Sequence, residues 1–257
     1  MTISKGKTVT LHLNGHTVSG TASLIRVFDI EGVFTLTDTK ISGAFKGHVI
    51  ANAAGKLAPV FYVRENATFN LYGGNLTCTQ VSAEAGVGTI YKSTMNMYDG
   101  RIYGGSVNAD TNGKGGGNLG IFSTGTFNMY GGIIEGGKSN TYGGNVYSNS
   151  SSATFRMLGG TITGGEAALG GSGAALNGKA ILGGSAVIRG NTGDDLYLMK
   201  NQLITMQSDL TEQAVGVAMA SGTGVFANTL NEAAKSWFVA KDGYTIVYND
   251  GKLELTN

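Results

Sequence analysis

Cysteine and proline each occur once in this 257-residue chain, as Cys78 and Pro59, histidine occurs three times, and charged residues make up only 14%. A lone cysteine excludes an internal disulfide, and together with His12, His16 and His48 it cannot assemble a zinc site of the usual Cys/His type. Low charge beside 41% hydrophobic residues excludes a disordered chain, which needs the opposite balance. Eighteen basic and seventeen acidic residues leave a net charge of +1, so no long-range field concentrates nucleic acid or an anionic membrane, and neither partner is expected. No apolar run approaches the roughly eighteen residues that a membrane span needs, so direct membrane insertion is not expected either. Met1 leads into a polar, strand-like segment rather than a charged-then-apolar export signal, so the chain reads as cytosolic or as an excised piece of something exported.

What the chain has in excess is glycine, 43 residues without the three-residue period of collagen. The excess belongs to an internal repeat. TFNMYGGIIEGG (Thr126 to Gly137) recurs as TFRMLGGTITGG (Thr154 to Gly165), TMNMYDGRIYGG (Thr94 to Gly105) and TFNLYGGNLTC (Thr68 to Cys78). VTLHLNGHTVSG from Val9 and VFTLTDTKISG from Val33 fit the same frame, and KAILGGSAVIRG from Lys179 fits it with a slip. The anchor residues are then Leu13, Leu36, Leu71, Met97, Met129, Met157 and Ile181, on average about 28 positions apart. Gly116, Gly143 and Gly170, each opening a Gly-Gly pair, lie 27 apart and set a second, agreeing register.

Inside each repeat the alternation has period two, as a strand with one buried face requires. Leu11, Phe34, Phe69, Met95, Phe127 and Phe155 stand two residues before the anchor; Val18, Ile41, Leu76, Ile102, Ile134 and Ile162 stand five after it. Gly-Gly or Asp-Gly separates the second column from the third and supplies a corner. A variable stretch follows with a third strand, such as Gly120 to Ser123 or Asn145 to Ser148. Short strands and sharp corners without intervening helix predict an all-β fold, a single-stranded right-handed parallel β-helix of about eight coils. The aspartate-bearing nonapeptide of a calcium-binding roll does not occur.

The longest gaps between anchors hold Ala44 to Gly55 and Ser106 to Gly117, which are expected to project; Asp110 and Lys114 lie in the second. After about Leu203 the frame dissolves. We therefore expect a parallel β-helix over residues 1–200 and, in the same domain, a last coil and C-terminal cap over 201–257. The cap is read as a short helix within Asn228 to Ser236 and a hairpin of Tyr244 to Val247 and Lys252 to Leu255 around Asn-Asp-Gly.

With the anchors inside, their neighbours form outward ladders. Thr68, Asn70 and Tyr72 are followed by Thr94, Asn96, Tyr98 and by Thr126, Asn128, Tyr130, while the next coil has Thr154, Arg156 and Leu158. The ligand-binding candidates are Asn70, Tyr72, Asn96, Tyr98, Asn128 and Tyr130: rings to stack on the apolar face of a sugar, amides to bond its hydroxyls. The competing reading is a ladder that only stabilises a solenoid face, at roughly 0.2 to 1 kcal/mol per pair. An ice-binding face is a further alternative, although His12, Thr35 and Arg156 interrupt the asparagine column and tyrosine is bulky.

For catalysis, the adjacent Asp194 and Asp195 superficially resemble the paired aspartates of polygalacturonases. The Gly-His-Gly and Arg-Ile-Lys segments of that family do not occur, His48 in Lys46-Gly47-His48 being the nearest approach, and a turn before Leu196 is expected instead. Pectate-type lyases need several acids from adjacent coils and a base; Glu135 beside Tyr103 and Thr163, with Arg101 beside Asn75 and Ile133, is not such a cluster. GKGGGN (Gly113 to Asn118) lacks the ending and following helix of a phosphate loop. His12 and His16 have no third ligand, and Cys78 fills a slot that other coils give to glycine. No catalytic residue, metal or cofactor is expected.

The string Gly-Gly-Asn, short strand, TFNMYGGIIEGG resembles repeats of large bacterial cell-surface proteins with pectate-lyase-like right-handed β-helices, common in gut Gram-positive organisms. The likeness covers about Thr8 to Asn191, and the tail from Leu203 is similar to the segment that follows such arrays. The resemblance implies a secreted or cell-surface location and an adhesive, carbohydrate-binding role with a polysaccharide or host glycan as partner. The expectation is accordingly a non-catalytic extracellular adhesion module. Its alternatives are a polysaccharide lyase or glycoside hydrolase, and a structural spacer.

Overall fold

Alternating apolar residues bury one face of a strand, and a solenoid gives that face an identical neighbour above and below. The computed structural model shows such stacking over about eight turns. The structure describes residues 1–20, 26–52, 59–82, 85–108, 115–199, 201–211, 215–229, 231–241 and 243–257. Leu36, Leu71, Met97, Met129 and Met157 pair in unshifted parallel register and are wholly buried. Beside them run Phe34, Phe69, Met95, Phe127 and Phe155. A third column, Val49, Leu76, Ile102, Ile134 and Ile162, lies on the second wall. The last wall begins at Thr2–Ile3 and Phe28–Ile30 and continues through Phe61–Val63, Gly88–Tyr91, Leu119–Phe122 and Val146–Ser148 to Ala174–Leu176 and Leu196–Leu198. Phe28, Phe34, Phe61 and Phe69 interleave between facing walls with centroids 4.8 to 5.5 Å apart.

Several expectations shift by one or two residues. Leu11, not Leu13, pairs with Leu36, and Val9 rather than Leu11 pairs with Phe34; the segment has apolar residues at 9, 11 and 13, so alternation alone does not choose. Ile41 leaves the third column and is 52% exposed, because Lys40–Ile41 folds back antiparallel on Ala44–Phe45 and Val49 takes its place. Much of the segment expected to project from Ala44 is therefore wall, as His48–Ala51. Leu182, not Ile181, continues the anchor column after Met157, and the register then shifts between Met157 and Gly159. A fourth, two-residue parallel strand sits before the last wall, at Val81–Ser82, Ser106–Val107, Lys138–Ser139 and Glu166–Ala167. Residues 53–55 of the first projecting loop, 109–114 of the second with Asp110 and Lys114, and Gly113 of GKGGGN lie outside the described residues.

The frame also continues beyond Leu203. Ile204–Leu210 pairs parallel with the preceding coil, with Met206 opposite Leu182, and Val215–Met219 and Phe238–Ala240 extend the last wall. The expected helix is a 3-10 turn at Glu232–Trp237. The hairpin is Thr245–Asn249 against Lys252–Thr256, turning through Asp250 and Gly251, both at positive φ. Lys252–Thr256 pairs antiparallel with Gly224–Asn228 and so covers the edge of that strand.

One corner of the tube is held by buried amides. Asn118 and Asn145, both without solvent exposure, precede the last-wall strands. Asn118 Nδ2 donates to Asn145 Oδ1 (2.7 Å), Asn145 Nδ2 to Asn191 Oδ1 (3.2 Å), and Asn191 Nδ2 to Asp195 Oδ1 (2.8 Å). The Oδ1 atoms of Asn118, Asn145 and Asn191 also accept the N–H of Gly105, Gly137 and Gly165 respectively, each at 2.9 Å. Where the column reaches Gly173 there is no side chain, and Asn191 fills the space from the neighbouring coil: a Cβ at 173 would stand 2.8 Å from its Nδ2. Asparagine suits this position because its amide both donates and accepts, so identical copies satisfy one another.

Asn145→Ala removes two buried hydrogen bonds, to Asn118 Nδ2 and the Gly137 N–H, and two part-buried ones, to the Thr163 carbonyl and Asn191 Oδ1, and is expected to cost about 3 kcal/mol or more, whereas Asn96→Ala on the outside is expected to cost under about 1 kcal/mol. Urea unfolding midpoints of the two variants measure the contrast, and equal losses would remove the inner ladder from its proposed place in stability.

Candidate ligand-binding surface

The outer face of the first wall consists of the residues between the buried columns. Thr68, Thr94, Thr126 and Thr154 pair directly across coils, as do Asn70, Asn96, Asn128 and Arg156. Tyr72, Tyr98 and Tyr130 follow at 46, 39 and 38% exposure, so all six candidate residues fall on one strip. The Tyr72 and Tyr98 centroids are 4.4 Å apart with planes 9° from parallel, and those of Tyr98 and Tyr130 are 5.2 Å apart at 13°. Asn128 Nδ2 donates to Asn96 Oδ1 and Asn96 Nδ2 to Asn70 Oδ1, both at 2.9 Å.

This geometry changes the expected mode of contact. Tyr98 spends both faces on its neighbours, Tyr72 and Tyr130 spend one face each, and the row presents edges and hydroxyls to solvent. Arg156 terminates the row, its guanidinium 5.9 Å from the Tyr130 centroid, Nη1 donating to the phenol oxygen at 3.5 Å and Nε donating to Gln207 Oε1 at 2.9 Å. With the first coil re-registered, Thr10 rather than His12 heads the asparagine column. His12 stands opposite Thr37 and shares hydrogen bonds with Thr37 (Nδ1, 2.8 Å) and Thr39 (Nε2, 3.2 Å). The Lys40–Phe45 hairpin borders the strip: Phe45 packs over Gly73, and Lys40 Nζ reaches Asp99 at 2.6 Å.

The remaining candidates are engaged elsewhere. Asp194 and Asp195 precede the strand Leu196–Leu198, as expected. Asp195 accepts from Asn191 and, through Oδ2, from the Gly216 N–H at 3.0 Å, whereas Asp194 is buried with Oδ1 3.2 Å from Lys241 Nζ. Arg101 and Glu135 form an ion pair. Among the described residues, no group of three or more His, Cys, Asp or Glu side chains is placed to hold a metal ion, and no helix is long and apolar enough to cross a membrane. Burial pushes the Cys78 thiol above its ordinary range, opposed by its hydrogen bond to the Gln80 carbonyl, so the thiolate is disfavoured.

Two features escaped the sequence reading. One is the buried amide ladder, signalled by the Gly-Gly-Asn of successive repeats. The other is a groove on the last wall lined by Tyr62, Thr89, Tyr91 and Phe122, which come from the variable part of each repeat. No family model, no curated protein and no solved structure matches this chain. The geometry is then the basis for a functional reading, and the fold it stands on is a parallel β-solenoid.

Desolvation first, and then the neighbouring Tyr72 and Tyr130, raise the Tyr98 phenol above its ordinary value of 10.0. The native phenol thus keeps its proton where the unfolded chain has lost it. Its contribution to stability is whole below about pH 10 and is lost as pH rises through the native value. Urea midpoints between about pH 9 and 11 are expected to fall less steeply in Tyr98→Phe than in the parent; identical slopes would contradict the assignment.

Proposed function

We propose that this chain is a non-catalytic surface module that holds an extended glycan along the solenoid axis, on the strip of Thr, Asn and Tyr columns. The observation that carries the proposal is the row of Tyr72, Tyr98 and Tyr130, exposed and fixed by mutual stacking at the coil interval. A periodic polymer of hydroxylated rings is a natural counterpart to a periodic row of phenol hydroxyls. Because the row is already rigid, little side-chain freedom is lost on binding. Contact runs through ring edges, phenol hydroxyls and the amide hydrogens that the asparagine chain leaves unused. The resemblance to pectate-lyase-like repeats of bacterial cell-surface proteins supports an extracellular or cell-surface location.

Binding is preferred to turnover because the candidate carboxylates are not paired with one another across a cleft: Asp195 accepts from Asn191 and Gly216, Glu135 pairs with Arg101, and Asp194 Oδ1, without a hydrogen-bond partner, stands 3.2 Å from Lys241 Nζ. A spacer is the second reading, favoured by the way the outer asparagines satisfy one another.

A glycan array should register the parent protein on at least one extended polysaccharide. Tyr72→Ala, Tyr98→Ala and Tyr130→Ala together should weaken that binding about tenfold or more. The corresponding triple Phe variant keeps the stack and isolates the hydroxyls. Undiminished binding by the triple Ala variant would overturn the strip as the site, and silence across plant, algal and host glycans would leave the spacer.

A further inference from the structure

The last wall carries its own outward columns. Tyr62, Thr89 and Gly120 are successive partners across coils in one of them, and Tyr91 and Phe122 are partners in the next. Gly120 decides the shape. Its Cβ would lie 2.3 Å from Phe122 Cε2, so the Phe122 ring lies where a side chain at 120 would otherwise stand. Phe122 thereby forms one wall of a groove of about 380 Å³ whose other wall is Tyr62 and Tyr91, their centroids 6.4 Å apart and their planes tilted by 45°. In contrast with the stacked strip, these tilted rings do not stack on each other; guanidiniums of Arg26 and Arg64 stand 4.4 and 5.3 Å from the Tyr62 centroid and Lys92 Nζ 5.5 Å from that of Tyr91. Ser123, Asn149 and Ser150 complete the lining with small neutral groups.

Thr89 sits between these walls. It is 1% exposed, and its Oγ1 is one of four buried side-chain polar atoms among the described residues that have no hydrogen-bond partner. A buried hydroxyl without a partner is destabilising in the free protein, so its presence in a cavity needs a reason. We propose that this groove is a second binding site, for a neutral saccharide ring, whose hydroxyl supplies the partner that Thr89 lacks.

The lining selects the ligand class. Aromatic faces beside side chains that both donate and accept match a sugar, which offers C–H faces and hydroxyls. The three cations near the rings are balanced by three carboxylates: Arg26 (3.7 Å) and Arg64 (2.6 Å) share Asp29, Arg64 also reaches Glu31 (3.7 Å), and Lys92 pairs with Glu65 (3.5 Å), so an acidic ligand meets no net positive charge there. An extended peptide is disfavoured because Gly88–Tyr91 is hydrogen-bonded on both sides, to Phe61–Val63 and to Leu119–Phe122, leaving no strand edge to add to. The site lies on a different wall from the tyrosine strip and stands whether or not that strip binds glycan.

The test is a titration of the isotope-labelled full chain with neutral disaccharides of gluco, galacto and manno configuration and with a uronate disaccharide, followed by amide chemical shifts. At least one neutral sugar should move the signals of Thr89, Tyr91 and Phe122, and the uronate should bind more weakly. Thr89→Val conserves volume and removes the hydroxyl. It should weaken the sugar about tenfold while raising the urea midpoint of the free protein, a pairing that mere damage to the fold would not give. Gly120→Ala should displace Phe122 and abolish the shifts. The triple Ala variant of Tyr72, Tyr98 and Tyr130 should leave the groove titration intact, which separates failure of this site from failure of the strip. No shift at the groove with any neutral disaccharide at millimolar concentration, preference for the uronate, or unchanged affinity in Thr89→Val would each overturn the proposal.

Discussion

Successive coils are hydrogen-bonded to one another in parallel register, and everything else in the structure is subordinate to that constraint. It places each side chain over its counterpart in the next repeat, so a column of one residue type forms only where that type tolerates a copy of itself at the sheet spacing. Leucine, methionine, isoleucine and phenylalanine meet that requirement inside the tube, where Leu36, Leu71, Met97, Met129 and Met157 have no exposure. Asparagine meets it both inside and outside, because one amide can donate to the next in an open-ended chain. Charge does not. Among the described residues one strand register sets two charged residues opposite each other across coils, and their signs are opposite: Lys138 faces Glu166 at 3.0 Å. The low charge content of the chain follows from the geometry of stacking.

The same rule distinguishes the two surfaces on which rings gather. On the first wall the repeat is faithful, three tyrosines coincide, and the middle ring is covered on both faces. On the last wall the repeat is imperfect: tyrosine, threonine and glycine succeed one another in one column, and the mismatch opens a groove. Regularity produces a flat array suited to a long partner; departure from regularity produces concavity.

The columns were legible in the sequence because like residues recur at like positions, and the stacking of Leu71, Met97, Met129 and Met157 follows from that alone. The reading slipped where two apolar residues compete for one slot. Leu11 and Leu13 both satisfy alternation, and only the pairing with Leu36 separates them. Ile41 was displaced by Val49 because a hairpin intervenes, and Ile181 by Leu182 because the wall bulges there. The continuation through Ile204–Leu210 carries no glycine signature, which hid it. The six outer residues were correctly grouped, but a linear pattern has no information about ring tilt, so the closed faces of the tyrosines were not foreseeable. The groove was invisible for a related reason: Thr89, Gly120 and Phe122 become neighbours only after the variable stretches of different lengths between them have been looped out.

The hairpin at the far end of the first wall reverses the direction of the chain. Stacking of this kind is directional, like masonry laid in courses that all run the same way, and any further course must match the last in heading. Lys252–Thr256 runs against Gly224–Asn228, and Thr245–Asn249 outside it runs against Lys252–Thr256, so the outermost course of that wall is the returning arm of a hairpin and not another coil. The last parallel course on that side is therefore marked by a change of sense between neighbours.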